Sequence, residues 1–363
     1  MKKIKKIGIL TAGGDCPGLN AVIRAVVKTA INDYGMEVIG FKDGYGGLVE
    51  NKVLKLSFFD ASGIINKGGT ILGTSNKANP FSYYVKNNGE VTYKDLSQIA
   101  INNFRENNLD ALICIGGDGS LSIAYKLYKK GLNIVGIPKT IDNDVSMTDL
   151  TSGFDSAVII ATEAIDRLHT TAQSHHRVMI VEVMGRYAGW LGLCSGIAGG
   201  GDIILIPEIP FNIKKICSRV LERNKSGKRF SIIVVSEGAK PKGGEMVVKR
   251  LVKDSPDPIR LGGIGNYLGE KIEKETGIET RVTVLGHVQR GGPPSPFDRI
   301  LATRFGTEAV RLALKNKSGK MVALKGDDII SVPIAAAIKS LKKVPVGSSL
   351  IKSARSVGTF FGD

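Results

Sequence analysis

Two carboxylates stand two residues apart in Thr140-Ile141-Asp142-Asn143-Asp144, so in an extended turn both project to one side. Such a pair suits phosphoryl transfer. One carboxylate can accept the proton of an attacking alcohol while the other helps orient a metal, and the loose transition state needs little beyond positioning and charge stabilisation. The same residues could form a plain acidic turn; a calcium loop is disfavoured because no further Asp-rich ligand set follows at EF-hand spacing. Upstream, Thr11-Ala12-Gly13-Gly14-Asp15 and Gly116-Gly117-Asp118-Gly119-Ser120 put adjacent glycines where backbone N–H groups could meet a phosphate, although a tight structural turn would use the same glycines. Asp118 is placed either to hold Mg²⁺ against a donor's phosphates or to cap a helix. Arg186, in Met184-Gly185-Arg186, offers a guanidinium fork to a transferring phosphoryl group. Arg177, Arg281, His287 and Arg290 supply further cations of the kind a sugar phosphate requires, whereas any one of them alone would read as a surface residue.

These residues fall at one kind of place. Short, β-branched-rich apolar runs recur at 7–11, 37–41, 111–115, 133–137, 177–183, 202–206, 230–235 and 281–285, and most of the polar motifs follow directly after one of them. Amphipathic stretches lie between, such as 20–32, opened by Pro17 and closed by Gly35, and 156–168. Alternating β and α signals predict a doubly wound α/β architecture, in which ligands bind beyond the carboxyl ends of parallel strands.

Bulk properties narrow the function class. With 363 residues and 42% hydrophobic content the chain can bury about two domain cores. No apolar run approaches the roughly 20 residues of a membrane span, and Met1-Lys2-Lys3-Ile4-Lys5-Lys6 reads as the lead-in to a first strand rather than a leader. Cys16, Cys114, Cys194 and Cys217 are scattered without metal-ligand or disulfide spacing, which fits a reducing cytoplasm. The net charge of +16 raises nucleic acid as a partner, but the basic residues are dispersed and aromatics make up only 6%, so no stacking platform is present. Small phosphorylated anions account for the charge as well.

Taken in order, the motifs resemble those of the phosphofructokinases from Gly8 to about Phe305. They are Thr11-Ala12-Gly13-Gly14-Asp15-Cys16-Pro17-Gly18-Leu19-Asn20, the Gly116 to Ser120 turn, Pro138 to Asp144, Ser174-His175-His176-Arg177, Met184-Gly185-Arg186-Tyr187 and Leu285-Gly286-His287-Val288-Gln289-Arg290-Gly291-Gly292. The tail from Ser356 to Asp363 and the insertion at 240–262 resemble the longer members of the family. The resemblance implies two similar doubly wound α/β/α domains facing a cleft. The expected division gives residues 1–150 plus about 265–317 to the nucleotide, and about 151–264 plus 318–363 to the sugar phosphate.

By the same resemblance Asp142 is the base that activates the 1-hydroxyl of fructose 6-phosphate, Asp118 is the Mg²⁺ ligand, and Thr140 and Arg186 steady the phosphoryl group. Gly13, Gly117, Gly119 and Ser120 cradle the nucleotide with Asp118, and Asn76 and Lys77 stand on its adenine side, Asn76 where short bacterial enzymes carry an Arg. Met184, Gly185, Glu237, His287 and Arg290 hold the sugar phosphate, with Ile141, Val288 and Gln289 in the same segments. Arg177 and Arg281 reach it from a neighbouring subunit, which implies a homodimer or homotetramer with shared active sites. Two donor-selecting positions point apart: Gly119 is small, as in ATP users, whereas Lys139 resembles the pyrophosphate pattern. A carboxylate beside a nucleotide phosphate would be the stronger veto, and none stands at 119, so ATP is expected and pyrophosphate is the alternative. Remoter alternatives are a NAD or lipid kinase, which would not need the His287, Arg290, Arg177 and Arg281 set, and a catalytically silent subunit, which would be expected to lack Asp142 or Arg186. A bacterial-type effector site is only partly matched, since His169 and Asp202 depart from it beside Arg24 and Lys28.

Overall fold

The computed structural model describes residues 4–87, 90–251 and 259–363. A seven-stranded sheet has the order Asp328–Pro333, Lys320–Lys325, Ile134–Pro138, Ala111–Gly116, Lys6–Thr11, Glu37–Phe41, Val53–Leu56. Its five inner strands are parallel, and each edge strand runs antiparallel to its neighbour. Parallel strands are buried on both faces, and the alternation of side chains shows it. Ile7, Ile9, Ile113 and Ile115 pack on one side with Val22, Val26 and Phe305, while Leu10, Leu112 and Ile134 pack on the other with Ile101, Leu121 and Leu127.

A second sheet is wholly parallel, in the order Thr280–Val284, Val178–Val183, Ser231–Ser236, Ile203–Leu205. Ile180, Ile233 and Val235 meet Ile216, Val220, Leu268 and Ile272 on one face, and Val181, Ile232 and Val234 meet Ala161 and Ile165 on the other. Two α/β/α layers therefore exist as expected.

The division of the chain between them differs from the expected one. Helix Ile264–Thr276 and strand Thr280–Val284, assigned above to the nucleotide layer, belong to the second sheet, because Thr280 to Val284 pair in parallel with Val178 to Glu182. The return to the first layer begins at helix Pro296–Leu314, which packs on helix Leu19–Tyr34 through Phe305, Ala309 and Val310. Strands Lys320–Lys325 and Asp328–Pro333, assigned above to the sugar-phosphate layer, extend the first sheet and bury Met321, Val322 and Ala323 there. The chain then crosses once more. Helix Ser349–Ser356 and Phe361 pack beside Ile204 and Ile206, and Phe360 bridges Ile203.

Candidate active site

The carboxyl ends of the two sheets face a cavity of about 890 Å³. The first glycine turn leaves strand Lys6–Thr11 with Gly13 at φ 83°, its N–H donating to Ser75 O at 3.0 Å and its carbonyl accepting from Thr74 Oγ1 at 2.7 Å. A Cβ on Gly13 would stand 3.0 Å from Ser120 Oγ and 3.2 Å from Lys139 Nζ, so the two glycine turns and Lys139 converge. The second turn feeds helix Asp118–Lys129, whose first N–H groups have no intrahelical acceptor and face the same cavity. Among the described residues, no heavy atom beyond its chain neighbours and its own helix backbone lies within 4 Å of the Cβ position of Gly119. Tyr45 Oη fixes the turn by donating to Ser120 O at 2.7 Å.

Lys139 is buried, and its ammonium donates to the Gly14 carbonyl, tying the end of strand Ile134–Pro138 to the first turn. Burial lowers its pKa, and the charge of Arg290 adds to the effect. Past it, the Asp142 N–H donates to Thr140 Oγ1 at 3.1 Å. Asp142 Oδ1 is shielded from solvent and has no hydrogen-bond partner among the described residues. Burial raises the Asp142 pKa, against the opposing pull of Arg290, Arg186 and Lys139. A carboxylate with an uncommitted oxygen, a raised proton affinity and three cations around it is a base waiting for an acidic hydrogen. Asp144 is pushed up to about 7, first by burial and then by the charges of Asp142 and Asp118.

The second sheet brings the cations. Arg186, at φ 35°, donates its N–H to Glu237 Oε1 at 3.2 Å, and its guanidinium lies 5.1 Å from the Tyr187 ring centre. Glu237 is raised to about 7, mainly by burial and next by Asp142. Gly185, at φ 129°, makes the bend between Met184 and Arg186, where a Cβ would stand 2.8 Å from Ala188 O. Arg290 donates to Asp15 O at 3.3 Å, and its buried Nε has no partner among the described residues.

Most of the expected residues meet in this one cavity: Gly13, Asn76, Gly117, Asp118, Gly119, Ser120, Lys139, Thr140, Ile141, Asp142, Met184, Arg186, Glu237, His287 and Arg290 all line it. Others do not. Lys77 is exposed and off the lining, Val288 is 68% exposed, and Gln289 is buried with its amide donating to Gly286 O at 3.0 Å. Arg177 and Arg281 lie at the amino end of the second sheet, away from this cavity, both paired with Glu279. Sequence reasoning missed Ser122 and Lys126, which a helical repeat of four from Asp118 would have found, and Tyr45, Asn79 and Leu341, for which no local signal exists.

Among the described residues no cluster of three His, Cys, Asp or Glu could cage a metal ion. Mg²⁺ keeps its waters and takes only one or two carboxylates plus substrate phosphates, so the single carboxylate of Asp118 at the glycine turn is enough to hold it. Among the described residues no helix is long and apolar enough to cross a membrane.

A family model for phosphofructokinases matches residues 6–313. "ATP-dependent 6-phosphofructokinase 2" of Clostridium perfringens is 55% identical, with all of both chains covered. "Pyrophosphate--fructose 6-phosphate 1-phosphotransferase" of Streptomyces coelicolor is 51% identical over 98% of this chain and all of its own. The crystal structure of Pichia pastoris phosphofructokinase in the T-state superposes with a TM-score of 0.77 at 34% identity, covering 99% of this chain and 37% of the yeast chain.

Proposed function

We infer the reaction from one premise: the chain belongs to the phosphofructokinase family. It is an ATP-dependent 6-phosphofructokinase, which moves the γ-phosphoryl of ATP to the 1-hydroxyl of fructose 6-phosphate and gives fructose 1,6-bisphosphate in glycolysis. The observation that carries the mechanism is Asp142 Oδ1, a shielded acceptor without a donor among the described residues, between the glycine turns and the cations of the second sheet.

In the ternary complex Asp142 takes the proton of the 1-hydroxyl as the oxygen attacks phosphorus. The N–H groups of Gly117 to Ser120 receive the nucleotide's phosphates, Gly13 leaves room for them by having no side chain, and Asp118 would hold Mg²⁺ there. When bound, Mg²⁺ neutralises charge on the donor phosphates. Arg186 and Thr140 steady the transferring group, where fixed donors act without reorganisation. Met184, Gly185, Glu237, His287 and Arg290 orient the sugar phosphate. Arg177 and Arg281 complete that grip from a second copy, in a homodimer or homotetramer whose sites are shared.

ATP as donor is supported by the open space at Gly119, where a side chain would project into the nucleotide end of the cavity. Lys139 favours the pyrophosphate reading by its type, but its ammonium is engaged by Gly14 O. A cytoplasmic location suits the four free cysteines, all half-buried or buried. Steady-state assays with Mg-ATP and Mg-pyrophosphate side by side decide the donor. Turnover with ATP is expected; activity confined to pyrophosphate refutes it.

A further inference from the structure

The loop that carries Asp142 has an anchor that none of the motifs contains. After strand Ile134–Pro138 the loop closes its stem by Thr140 N–H to Ser152 O at 3.2 Å and Thr151 Oγ1 to Thr140 O at 2.7 Å. Within it Asn143 and Met147 hold left-handed backbone, at φ 50° and 67°, a conformation that Asn tolerates but that is uncommon for Met. Bracing this segment is Lys342, nearly 200 residues downstream. Its ammonium donates to Asn143 Oδ1 at 2.7 Å and to the carbonyls of Thr148 and Asp149 at 2.9 Å each. Three protons thus meet three acceptors, all within the seven residues after the base. The Lys342 N–H donates to Asp144 O at 2.7 Å, and Ser146 Oγ donates to Ser340 O at 2.6 Å.

The same segment is fastened to the other half of the site. Trp190 Nε1 donates to Lys342 O at 2.7 Å, and Val344 N–H donates to Glu208 Oε1 at 2.9 Å. Glu208 also accepts the N–H of Gly189 at 3.0 Å, at the end of the turn that presents Arg186. Leu341, between Ser340 and Lys342, reaches the cavity wall. The groups facing the Lys342 ammonium are Asp149 and Asp144, which stabilise its charge, Lys325, which opposes it, and Cys194 and the Trp190 ring, 5.5 Å away.

We propose that residues 340–344 form a strap across the cleft and that Lys342 is a positioning residue, which holds the Asp142 loop at a fixed distance from the Arg186 turn. The inference rests on the phosphofructokinase reading for the roles of those two residues. It adds a part of the machinery drawn from outside the motif set, and it explains why a half-buried cation is spent on a loop it does not share chemistry with.

The test uses the full chain. Wild-type turnover of fructose 6-phosphate with Mg-ATP is measured first, and its absence counts against the reaction, not against the strap. Lys342→Met, Lys342→Arg, Asn143→Ala and the Lys342→Met/Asn143→Ala double variant follow, with a cooperative thermal melt by far-UV circular dichroism reporting that each is folded at the assay temperature, because Trp190 emission would sense the substitution itself. Lys342→Met is expected to lower kcat about tenfold or more with both KM values within about threefold of wild type, since a small misplacement of a reacting group acts on the chemical step. The double variant loses less than the product of the single losses, because both act through one contact. Lys342→Arg, which keeps the charge, restores part of the turnover. A folded Lys342→Met enzyme with wild-type kcat, or losses that multiply independently, overturns the proposal. Should Lys342→Met not fold, Asn143→Ala decides alone: wild-type kcat there overturns it, and a KM-sparing loss supports it.

Discussion

Gly14 offers a perturbation whose size can be worked from the geometry. Its φ lies outside the left-handed region, so alanine fits the backbone without strain. A Cβ there would stand 3.0 Å from Arg290 Cζ and overlap Nη1 outright. Carbon and nitrogen settle near 3.5 Å, so the guanidinium has to retreat by at least about 1 Å. It is the far end of a flexible side chain, held by a single long bond to Asp15 O, so it retreats without unfolding the layer. On the proposed reading, what is lost is its aim at the sugar phosphate. A hydrogen bond to a charged group contributes about 1.5–3 kcal/mol, and each 1.4 kcal/mol is roughly a factor of ten, so the affinity for fructose 6-phosphate should fall about tenfold to a hundredfold. The melting temperature should stay close to wild type, since no buried apolar contact is removed. Calorimetric titration of the Gly14→Ala protein with fructose 6-phosphate, beside the KM for each substrate, checks this. An unchanged sugar-phosphate KM refutes the reasoning, because it would mean that Arg290 leaves Gly14 before the substrate arrives.

Three further outcomes follow from the same site. Asp142→Ser should lower kcat by at least ~10² while leaving sugar binding largely intact, because a general base acts in the transition state; weakened binding at unchanged turnover contradicts the role. Gly119→Asp places a carboxylate in the open nucleotide end and should raise the KM for ATP at least about tenfold through like-charge repulsion, so an unchanged KM for ATP counts against the placement of the donor. Glu237, raised to about 7 by burial and Asp142, binds a proton in the fold that the unfolded chain has released near pH ~4, so it stabilises the ligand-free protein at low pH and that contribution is lost as pH rises through about 7. Glu237→Gln removes this titration: its melting temperature relative to wild type should rise between pH 5 and pH 8, and a constant difference rejects the shift.

The site was more legible in the sequence than the division of the chain. Ligands collect at the carboxyl ends of parallel strands, so once the strands at 7–11, 111–115, 133–137 and 177–183 were read, the turns after them located Gly13, Asp118, Asp142 and Arg186 with no further information. Sheet membership has no such local marker. The buried run Met321 to Leu324 is as apolar as any other, and it joins the first sheet through a parallel register of only two residues, Lys320 with Val135 and Met321 with Gly136, nearly 200 positions away. Thr280 to Val284 sits beside the His287 and Arg290 motif in sequence, yet pairing with Val178 to Glu182 places it in the second sheet while helix Pro296–Leu314 returns to the first. Lys342 was invisible for a related reason. Its three acceptors are one side-chain amide oxygen and two backbone carbonyls, and the acids that face it, Asp144 and Asp149, lie nearly 200 positions away with no local pattern linking them to it.

The position of Arg177 and Arg281 follows from the same rule that built the site. Arg177 stands just before strand Val178–Val183 and Arg281 is the second residue of strand Thr280–Val284, so both lie at the amino end of their sheet, opposite the end that faces the cavity. A parallel strand cannot turn its first residues toward a ligand bound beyond its last. Whatever anion these guanidiniums serve must therefore come from outside this chain's own cleft. Glu279 sits against both, its carboxyl held below the usual range chiefly by the hydrogen bond from Arg177 at 2.6 Å, with His175 adding to the pull. One carboxylate between two guanidiniums leaves a positive charge uncompensated, and Glu279 fixes the fork of Arg177 rather than silencing the pair. Within this chain, His287 and Arg290 line the cleft beside Arg186, to which the proposed reading gives the transferring group. On the proposed reading, an anion grip divided in this way, half at the carboxyl end of one sheet and half at the amino end, would close around a phosphate when two copies meet.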